Sequence, residues 1–176
     1  MIKRYETEEI RKTFSEEHKM EVWVLVEKAV AQVQEGLGII PKGLSKKLDK
    51  IKIDPERVEE IEKITNHDVI AFLEAVREKI GKEKGRWLHF GMTSYDLVDT
   101  AWGLISKEGL DIVLNEIDTL LKVLKKLAIK YQKTPQIGRT HGIFAQPITF
   151  GYKINSWYQE ILRARDRLRH AQKEIA

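Results

Sequence analysis

The feature that most constrains the fold is a stretch of nearly forty residues without a helix breaker. Thr93 or Ser94 is a suitable N-cap for a helix, and the next strong stop signal is Thr134-Pro135. Gly103 and Gly109 lie inside the stretch, but a helix tolerates single glycines. At a rise of about 1.5 Å per residue, the predicted helix is roughly 55–60 Å long. Because a helix of that length is stable only against other long helices, the sequence predicts an all-α fold.

Apolar residues recur at helical spacing along this stretch. They are Leu110, Val113, Ile117, Leu120, Leu121, Leu124 and Ala128. A second long helix is predicted to begin near Pro147 and to continue to Ala176 without a stop signal. Because two long helices do not enclose a core, we expect them to associate with other copies. For the same reason we expect the chain to be part of a longer polypeptide.

Shorter helices are predicted ahead of the long one. Ser15 can cap a helix that ends near Gly36 or Gly38, and Asp54-Pro55-Glu56 has the pattern of another helix start. A further helix is predicted over residues 68–80, closed by Gly81. Strand signals are almost absent. We therefore predict a small helical domain over residues 1–90. Residues 91–176 are predicted to form the incomplete start of a long-helix bundle.

Composition excludes several classes of protein. Lys and Arg number 31 against 27 Asp and Glu, and this small excess gives little indication of nucleic-acid binding. The absence of cysteine excludes disulfides and thiolate chemistry, and the five histidines lack any metal-binding spacing. The amino terminus has no signal-peptide pattern, and no apolar run approaches the ~18 residues of a membrane span. A cytoplasmic protein is expected.

Two polar segments lie at or before predicted helix starts. Arg4-Tyr5 offers a guanidinium fork and a hydroxyl that suit a phosphate, or it is an exposed terminal charge beside a packing aromatic. In Thr65-Asn66-His67-Asp68, the Asn or the Asp caps the following helix. The alternative is that His67 is presented at a helix amino terminus, where free N–H groups attract anions.

Two further segments flank the long helix. The segment from His89 to Asp96 either supplies a helix cap or offers hydroxyls and N–H groups to an anionic ligand. Gly138-Arg139-Thr140-His141-Gly142 is predicted to be a loop between the long helices. Only histidine titrates near neutrality without perturbation, so His141 is a candidate acid or base. The alternative is that His141 has no catalytic role.

These segments together resemble the adenylosuccinate lyase family. Residues 89–100 resemble the family segment in which TS-x-D-x-x-DT opens a long helix, and residues 138–142 match its GRTHG motif. That match continues through Ala145, Pro147 and Phe150-Gly151. Arg4-Tyr5 and His67-Asp68-Val69 stand at matching distances, so the resemblance covers essentially the whole chain.

The resemblance implies a fold, an assembly and a reaction. The family belongs to the fumarase/aspartase superfamily, whose members are homotetramers built around a long central helical bundle. Its enzymes eliminate fumarate from adenylosuccinate to give AMP. They also cleave the succinylated carboxamide ribotide (SAICAR) to give AICAR in purine biosynthesis. Neither reaction needs a metal or an organic cofactor.

The resemblance also implies roles for individual residues. His141 would be the general acid, and His67 would be a second catalytic residue that also lines the substrate pocket. The other expected substrate-binding residues are Arg4, Tyr5, Asn66, Asp68, His89, Thr93, Ser94 and Thr140. Arg4 and Tyr5 would hold the nucleotide phosphate. The chain departs from the common family pattern at Asn66, Phe144, Gln146 and Ile148.

The catalytic base is not among these residues. In the family it is a serine on a mobile loop, in a motif like SSxMPxKxNP, which the 176 residues do not contain. The chain alone is therefore expected to be inactive. Two alternatives remain open: a non-catalytic helical oligomerisation scaffold, and a sister lyase acting on argininosuccinate, fumarate or aspartate. Arg4-Tyr5 and GRTHG favour the purine enzyme, because a nucleotide phosphate needs a cationic receptor.

Overall fold

The structure is a computed structural model that describes residues 2–175, most of them in helices. Its elements in chain order are a 3₁₀ turn (Lys3–Tyr5), α1 (Glu8–Thr13), α2 (Glu16–Gly36), α3 (Leu44–Leu48), α4 (Pro55–Thr65), α5 (Asp68–Ile80), α6 (Lys82–Gly85), α7 (Ser94–Lys130), β1 (Pro135–Thr140), β2 (Ile143–Thr149) and α8 (Phe150–Glu174). Within residues 2–175, no helix is both long and apolar enough to cross a membrane.

Capping residues set several helix boundaries. The Ser15 hydroxyl accepts the His18 N–H at 3.1 Å and so begins α2. The Asp54 carboxylate caps α4, whose first residue is Pro55. Such side chains satisfy backbone donors that have no partner inside the helix. The predicted starts of α2, α4 and α7 are therefore found where the sequence places them.

The chain divides into two compact units within α7. The first unit ends at Gly109 and the second begins at Leu110. The division falls inside the helix because its first turns contribute Leu97, Ala101 and Ile105 to the core of the first unit. The predicted domain boundary between residues 90 and 91 stays a prediction.

The core of the first unit is centred on α2 and α5. The rings of Trp23 and Phe72 meet edge to face, with centroids 5.1 Å apart and an interplanar angle of 86°. This arrangement stabilises an aromatic pair beyond the area it buries. The largest side chains that are fully buried in this unit are Phe72, Leu44, Leu48, Leu97, Ile105, Val69 and Val76.

In the second unit, the start of α8 lies against the end of α7. The N–H groups of Phe150 and Gly151 donate to the carbonyls of Thr134 and Tyr131, both at 2.9 Å. Gly151 is buried, and a methyl group there would lie 2.5 Å from the Ala128 carbonyl oxygen. Only a residue without a side chain permits this approach.

The segment between α7 and α8 is a β-hairpin, which corrects the predicted loop. Strands β1 and β2 pair antiparallel, and α8 begins at Phe150, three residues after the predicted start near Pro147. His141 (φ 49°) and Gly142 (φ 78°) connect the strands, and positive φ at both positions is the pattern of a two-residue hairpin turn. Pro147 is compatible because a two-stranded sheet has only edges. The all-α class is confirmed, since this hairpin is the only sheet in the described part of the chain.

Candidate functional site

Two helix starts bring His67 and Ser94 together. His67 is the N-cap of α5 and Ser94 is the first residue of α7. The Nε2 atom of His67 lies 3.5 Å from the Ser94 hydroxyl oxygen. Both side chains are partly exposed, and a ligand anion that contacted both would meet an imidazole, a hydroxyl and the amino ends of two helices.

The neighbours of His67 have separate local roles. Asn66 adopts a left-handed conformation (φ 51°) and ends α4, with its N–H bonded to the Glu62 carbonyl at 2.8 Å. Neither Asn66 nor Asp68 is the N-cap of α5. The capping acceptor is Nδ1 of His67, which lies 3.5 Å from the Ile70 nitrogen. The Asp68 carboxylate lies 3.3 Å from the same ring nitrogen and is exposed.

His89 is held by a residue that the sequence analysis missed. Its backbone N–H donates to Oε2 of Glu27 at 3.0 Å, and its Nδ1 lies 2.6 Å from Oε1. Glu27 is 2% exposed, so His89 sits against a buried carboxylate. The spacing of α2 could have indicated that Glu27 is buried. Glu27 lies four residues after Trp23 and four before Ala31, so it is on the same helix face as these two buried residues.

The start of α7 combines hydroxyls with an internal cap. The Asp96 carboxylate accepts the Thr93 N–H at 2.8 Å, and the Asp96 N–H donates to the Thr93 carbonyl at 3.0 Å. These two reciprocal hydrogen bonds occupy the Thr93 N–H, which is then not available to a ligand. An anion at this helix end could therefore use the hydroxyls of Thr93 and Ser94 but not the Thr93 N–H. Thr93 is exposed and Ser94 is half-buried.

Arg4 and Tyr5 form a contact of their own in the first unit. Nη2 of Arg4 donates to the Tyr5 hydroxyl at 2.9 Å, and the guanidinium carbon lies 4.9 Å from the ring centroid. Tyr5 is 70% exposed. The pair thus presents a guanidinium and a phenol side by side towards solvent, which is a suitable arrangement for a phosphate.

Thr140 and His141 lie in the second unit, at the end of the hairpin. Thr140 is the last residue of β1 and His141 is the first residue of the turn, and both are exposed. Nη1 of Arg139 donates to the Gly142 carbonyl at 3.2 Å and so braces the turn. The Arg139 guanidinium also lies 4.5 Å from the centroid of the Phe144 ring on the paired strand. Phe144 thereby supports the turn that carries His141.

Gly138 explains why the GRTHG motif begins with glycine. The pairing register shifts between Ile137 and Arg139, which indicates a bulge. A Cβ atom at Gly138 would lie 2.8 Å from the Gln146 carbonyl oxygen. A larger residue would push the strands apart and disturb the turn at His141.

A groove of the first unit lies beside the start of α7, and none of the histidines is among its lining residues. It has a volume of about 680 Å³. It is lined by Leu25, Val26, Ala29, Val30, Gln34, Gly91, Met92, Asp96, Thr100 and Leu104. Its walls are mainly apolar, with Asp96 as the one ionisable residue among them. The candidate residues His67 and Ser94 lie at helix starts, and His141 lies in the hairpin turn, rather than in this groove.

Comparison with known proteins identifies the family. A family model described as lyase matches residues 1–176. Adenylosuccinate lyase of Aquifex aeolicus is 41% identical over 99% of this chain, and that of Synechocystis sp. is 42% identical over 100%. The crystal structure of fumarate lyase from Mesorhizobium sp. BNC1 is 32% identical and superposes with a TM-score of 0.88 over 94% of this chain.

The chain spans 41% of the length of these two curated relatives and 40% of the crystallised lyase. The predicted fold class, a small helical domain followed by the first helices of a fumarase/aspartase-type bundle, is confirmed by this likeness. The resemblance to adenylosuccinate lyases, first seen in four motifs, is confirmed as well. The chain therefore belongs to the lyase family.

Proposed function

We propose that this chain is the amino-terminal part of an adenylosuccinate lyase. The enzyme would eliminate fumarate from adenylosuccinate to give AMP, and from SAICAR to give AICAR. The observation that carries the proposal is the contact between His67 and Ser94 at two helix amino ends, 3.5 Å apart. The identity of 41% to an enzyme with this name supports the same reaction.

The reaction breaks one C–N bond and forms one C=C bond. A base removes the proton from the carbon next to the succinyl carboxylate, and negative charge develops on that carboxylate. The C–N bond then breaks, and an acid protonates the departing nitrogen. We assign the acid to His141, whose exposed position in the hairpin turn leaves its ring accessible to a ligand.

The remaining residues are assigned to substrate binding. Arg4 and Tyr5 would hold the phosphate, since a guanidinium and a phenol stand side by side there. The hydroxyls of Thr93 and Ser94, together with His67 and His89, would bind the developing carboxylate charge. Asn66, Asp68 and Thr140 adjoin these residues in the chain and would line the pocket. His67 is also proposed as a second catalytic residue, because its imidazole is suited to move a proton.

The base and the assembly would come from outside the 176 residues. We assign the base to a loop serine in the remainder of the protein, so the chain alone should not turn over substrate. A homotetramer in the cytoplasm is proposed, with sites shared between subunits. The exposed apolar residues Val113 (39%), Leu120 (43%) and Val123 (49%) on α7 support association through this helix.

The direct test is fumarate release by the full-length gene product. Incubation with adenylosuccinate should produce fumarate, which is followed by ultraviolet absorbance, and AMP, which is identified by chromatography. Argininosuccinate, tested in parallel, should not be cleaved. Cleavage of argininosuccinate alone would identify a sister lyase. An absence of cleavage of either compound would favour a scaffold.

His141→Ala tests the assignment of the acid. We expect kcat to fall about 10²-fold or more, the usual scale for a lost acid–base group. His170→Ala is the matched control, because His170 is an exposed histidine on α8 whose Nε2 lies 3.3 Å from Glu174. This control should leave kcat unchanged. An effect of His141→Ala confined to KM would reduce His141 to a binding residue.

A further inference from the structure

A buried carboxylate lies behind the candidate site. Glu27 is 2% exposed and stands on the apolar face of α2, between Trp23 and Ala31. A carboxylate without partners is costly in such a place, so its presence requires specific hydrogen bonds.

Both carboxylate oxygens of Glu27 contact the same residue. Oε2 accepts the backbone N–H of His89 at 3.0 Å, and Oε1 lies 2.6 Å from Nδ1 of the His89 ring. His89 has a φ of 63°, a conformation that non-glycine residues seldom adopt. The two contacts fix the backbone and the ring at once, which offsets the cost of this conformation.

An ionised carboxylate accepts hydrogen bonds but cannot donate them. The contact with Oε1 therefore requires the proton of a neutral His89 ring to be on Nδ1. The ring nitrogen left to meet a ligand is then Nε2. Glu27 thus selects the tautomer as well as the orientation of the ring, in the way that a partner on one imidazole nitrogen sets the role of the other.

A second side chain of α2 holds the residue that follows His89. Nε2 of Gln34 donates to the Phe90 carbonyl at 2.7 Å. Glu27 and Gln34 are seven residues apart, or about two helical turns, so they project from one side of α2. Together they secure the segment that leads through Gly91 to the hydroxyls of Thr93 and Ser94.

We propose that Glu27 is a positioning residue of this site, which holds His89 with Nδ1 protonated and Nε2 turned to the anionic substrate, to which Nε2 donates once it carries the second proton of an imidazolium. The substrate part of this inference rests on the proposed function. The inference about the His89 tautomer rests only on the two contacts between Glu27 and His89, and it can be tested without measuring catalysis.

Glu27→Gln gives a sharp test because of the backbone contact. The His89 N–H can only donate, so the new amide must offer its carbonyl oxygen to it. The NH₂ group then faces the ring, which must accept through Nδ1 and carry its proton on Nε2. The tautomer should therefore change from Nδ1–H in the wild type to Nε2–H in the variant.

The measurement is two-bond ¹H–¹⁵N correlation of the histidine rings in the 176-residue chain, with His89 assigned by its loss in His89→Asn. Glu35→Gln is the matched control, since Glu35 lies on the same helix and holds Gly43 and Ser45 instead. It should leave the His89 tautomer unchanged. A wild-type ring protonated on Nε2 alone would overturn the proposal, even where Glu27→Gln fails to fold. An unchanged tautomer in a folded Glu27→Gln variant would overturn it as well.

In the full-length enzyme, we expect Glu27→Gln to raise KM for adenylosuccinate about tenfold, with a smaller change in kcat, because a neutral amide does not stabilise the imidazolium and the charge-assisted hydrogen bond to the anion is replaced by a neutral one. This measurement requires a wild-type enzyme that cleaves adenylosuccinate. If the wild type does not cleave it, the proposed function is wrong, but the tautomer measurement is unaffected. An unchanged KM together with the tautomer change would overturn the role of His89 towards the substrate.

Discussion

A single carboxylate fixes the turn ahead of α3. Glu35 accepts the backbone N–H groups of Gly43 and Ser45 at 3.0 and 2.9 Å, and the Ser45 hydroxyl at 2.8 Å. Burial raises the pKa of Glu35, but the hydrogen bonds donated by Ser45, Gly43 and Leu44 together lower it more. The pKa therefore lies below its ordinary value. The ionised form is the one that stabilises the fold.

The contribution of Glu35 should depend on pH in a defined direction. Because its pKa is lowered by folding, its contribution is complete above the unfolded value of about 4.3 and is lost as the pH falls through the folded value. We expect Glu35→Ala to lower the free energy of unfolding by about 2 kcal/mol at neutral pH. The difference from the wild type should shrink in acid.

Urea unfolding of the chain at pH 7 and pH 3 would measure this. Glu59→Ala is the control, since Glu59 makes only an exposed contact with Lys63 in the same helix. Its loss should change the free energy of unfolding by less than about 0.5 kcal/mol. A Glu35→Ala effect of the same size at both pH values would contradict the assigned role of the carboxylate.

Arg4 is expected to affect nucleotide binding without affecting the fold. A charge-assisted hydrogen bond to phosphate contributes about 1.5–3 kcal/mol, so Arg4→Ala should weaken AMP binding by the full-length protein at least tenfold. Titration calorimetry measures the affinity directly. Arg11→Ala removes the same charge from an exposed position in α1 and should leave AMP affinity unchanged. If Arg4→Ala and Arg11→Ala bound AMP with the same affinity, Arg4 would not be the residue that binds the phosphate.

At the scale of elements, the junction of α7 and α8 depends on Gly151. A Cβ atom at this position would lie 2.5 Å from the Gln132 Cα and from the Ala128 carbonyl oxygen. These are backbone atoms, which cannot rotate away as a flexible side chain can. We expect Gly151→Ala to lower the free energy of unfolding of the second unit by about 3 kcal/mol.

Gly36→Ala is the matched control for this junction. Gly36 is the last residue of α2, and no atom lies within 4 Å of the position its Cβ would take. Alanine there should be neutral or stabilise by up to about 1 kcal/mol. Chemical unfolding followed by circular dichroism would compare the two variants. Similar midpoints for both would show that the α7–α8 junction relaxes around the added methyl group.

Helices could be predicted from this sequence where a capping residue is followed by apolar residues at helical spacing. Ser15 and Asp54 begin α2 and α4 as expected, because their side chains bond the N–H groups that each helix leaves unpaired. The hairpin was not predictable by the same means. Its strands expose Ile143 and Phe144 in succession, so the alternation that indicates a half-buried strand is absent.

The residues of the candidate site could be predicted from the sequence, but the contacts between them could not. Motif residues such as His67 and Ser94 lie 27 positions apart, and only the tertiary fold brings their side chains to 3.5 Å. Glu27 was missed for a related reason. A charged residue in a helix is normally assigned to the solvent face, and its partner His89 is 62 positions away.

At the scale of the whole molecule, α7 has more apolar surface than α8 covers. Asp118 pairs with Arg165 of α8, and the buried residues Leu114 and Leu121 lie within one turn of Asp118 on the same side. Val113, Leu120 and Val123 remain substantially exposed. Exposed apolar residues grouped on one helix face indicate a surface that associates with another protein.

Leu120→Glu should therefore prevent association of the 176-residue chain. The wild type is expected to form oligomers in sedimentation velocity, because burying the exposed face of α7 removes apolar area from water. A glutamate at position 120 would place a charge inside that contact and leave a monomer. Asn115→Glu is the matched control, since Asn115 is exposed on the same helix but lies five residues away, about 140° around the axis. It should associate like the wild type. A wild-type monomer at every concentration tested, or equal association of both variants, would show that this face is not the one through which the chain assembles.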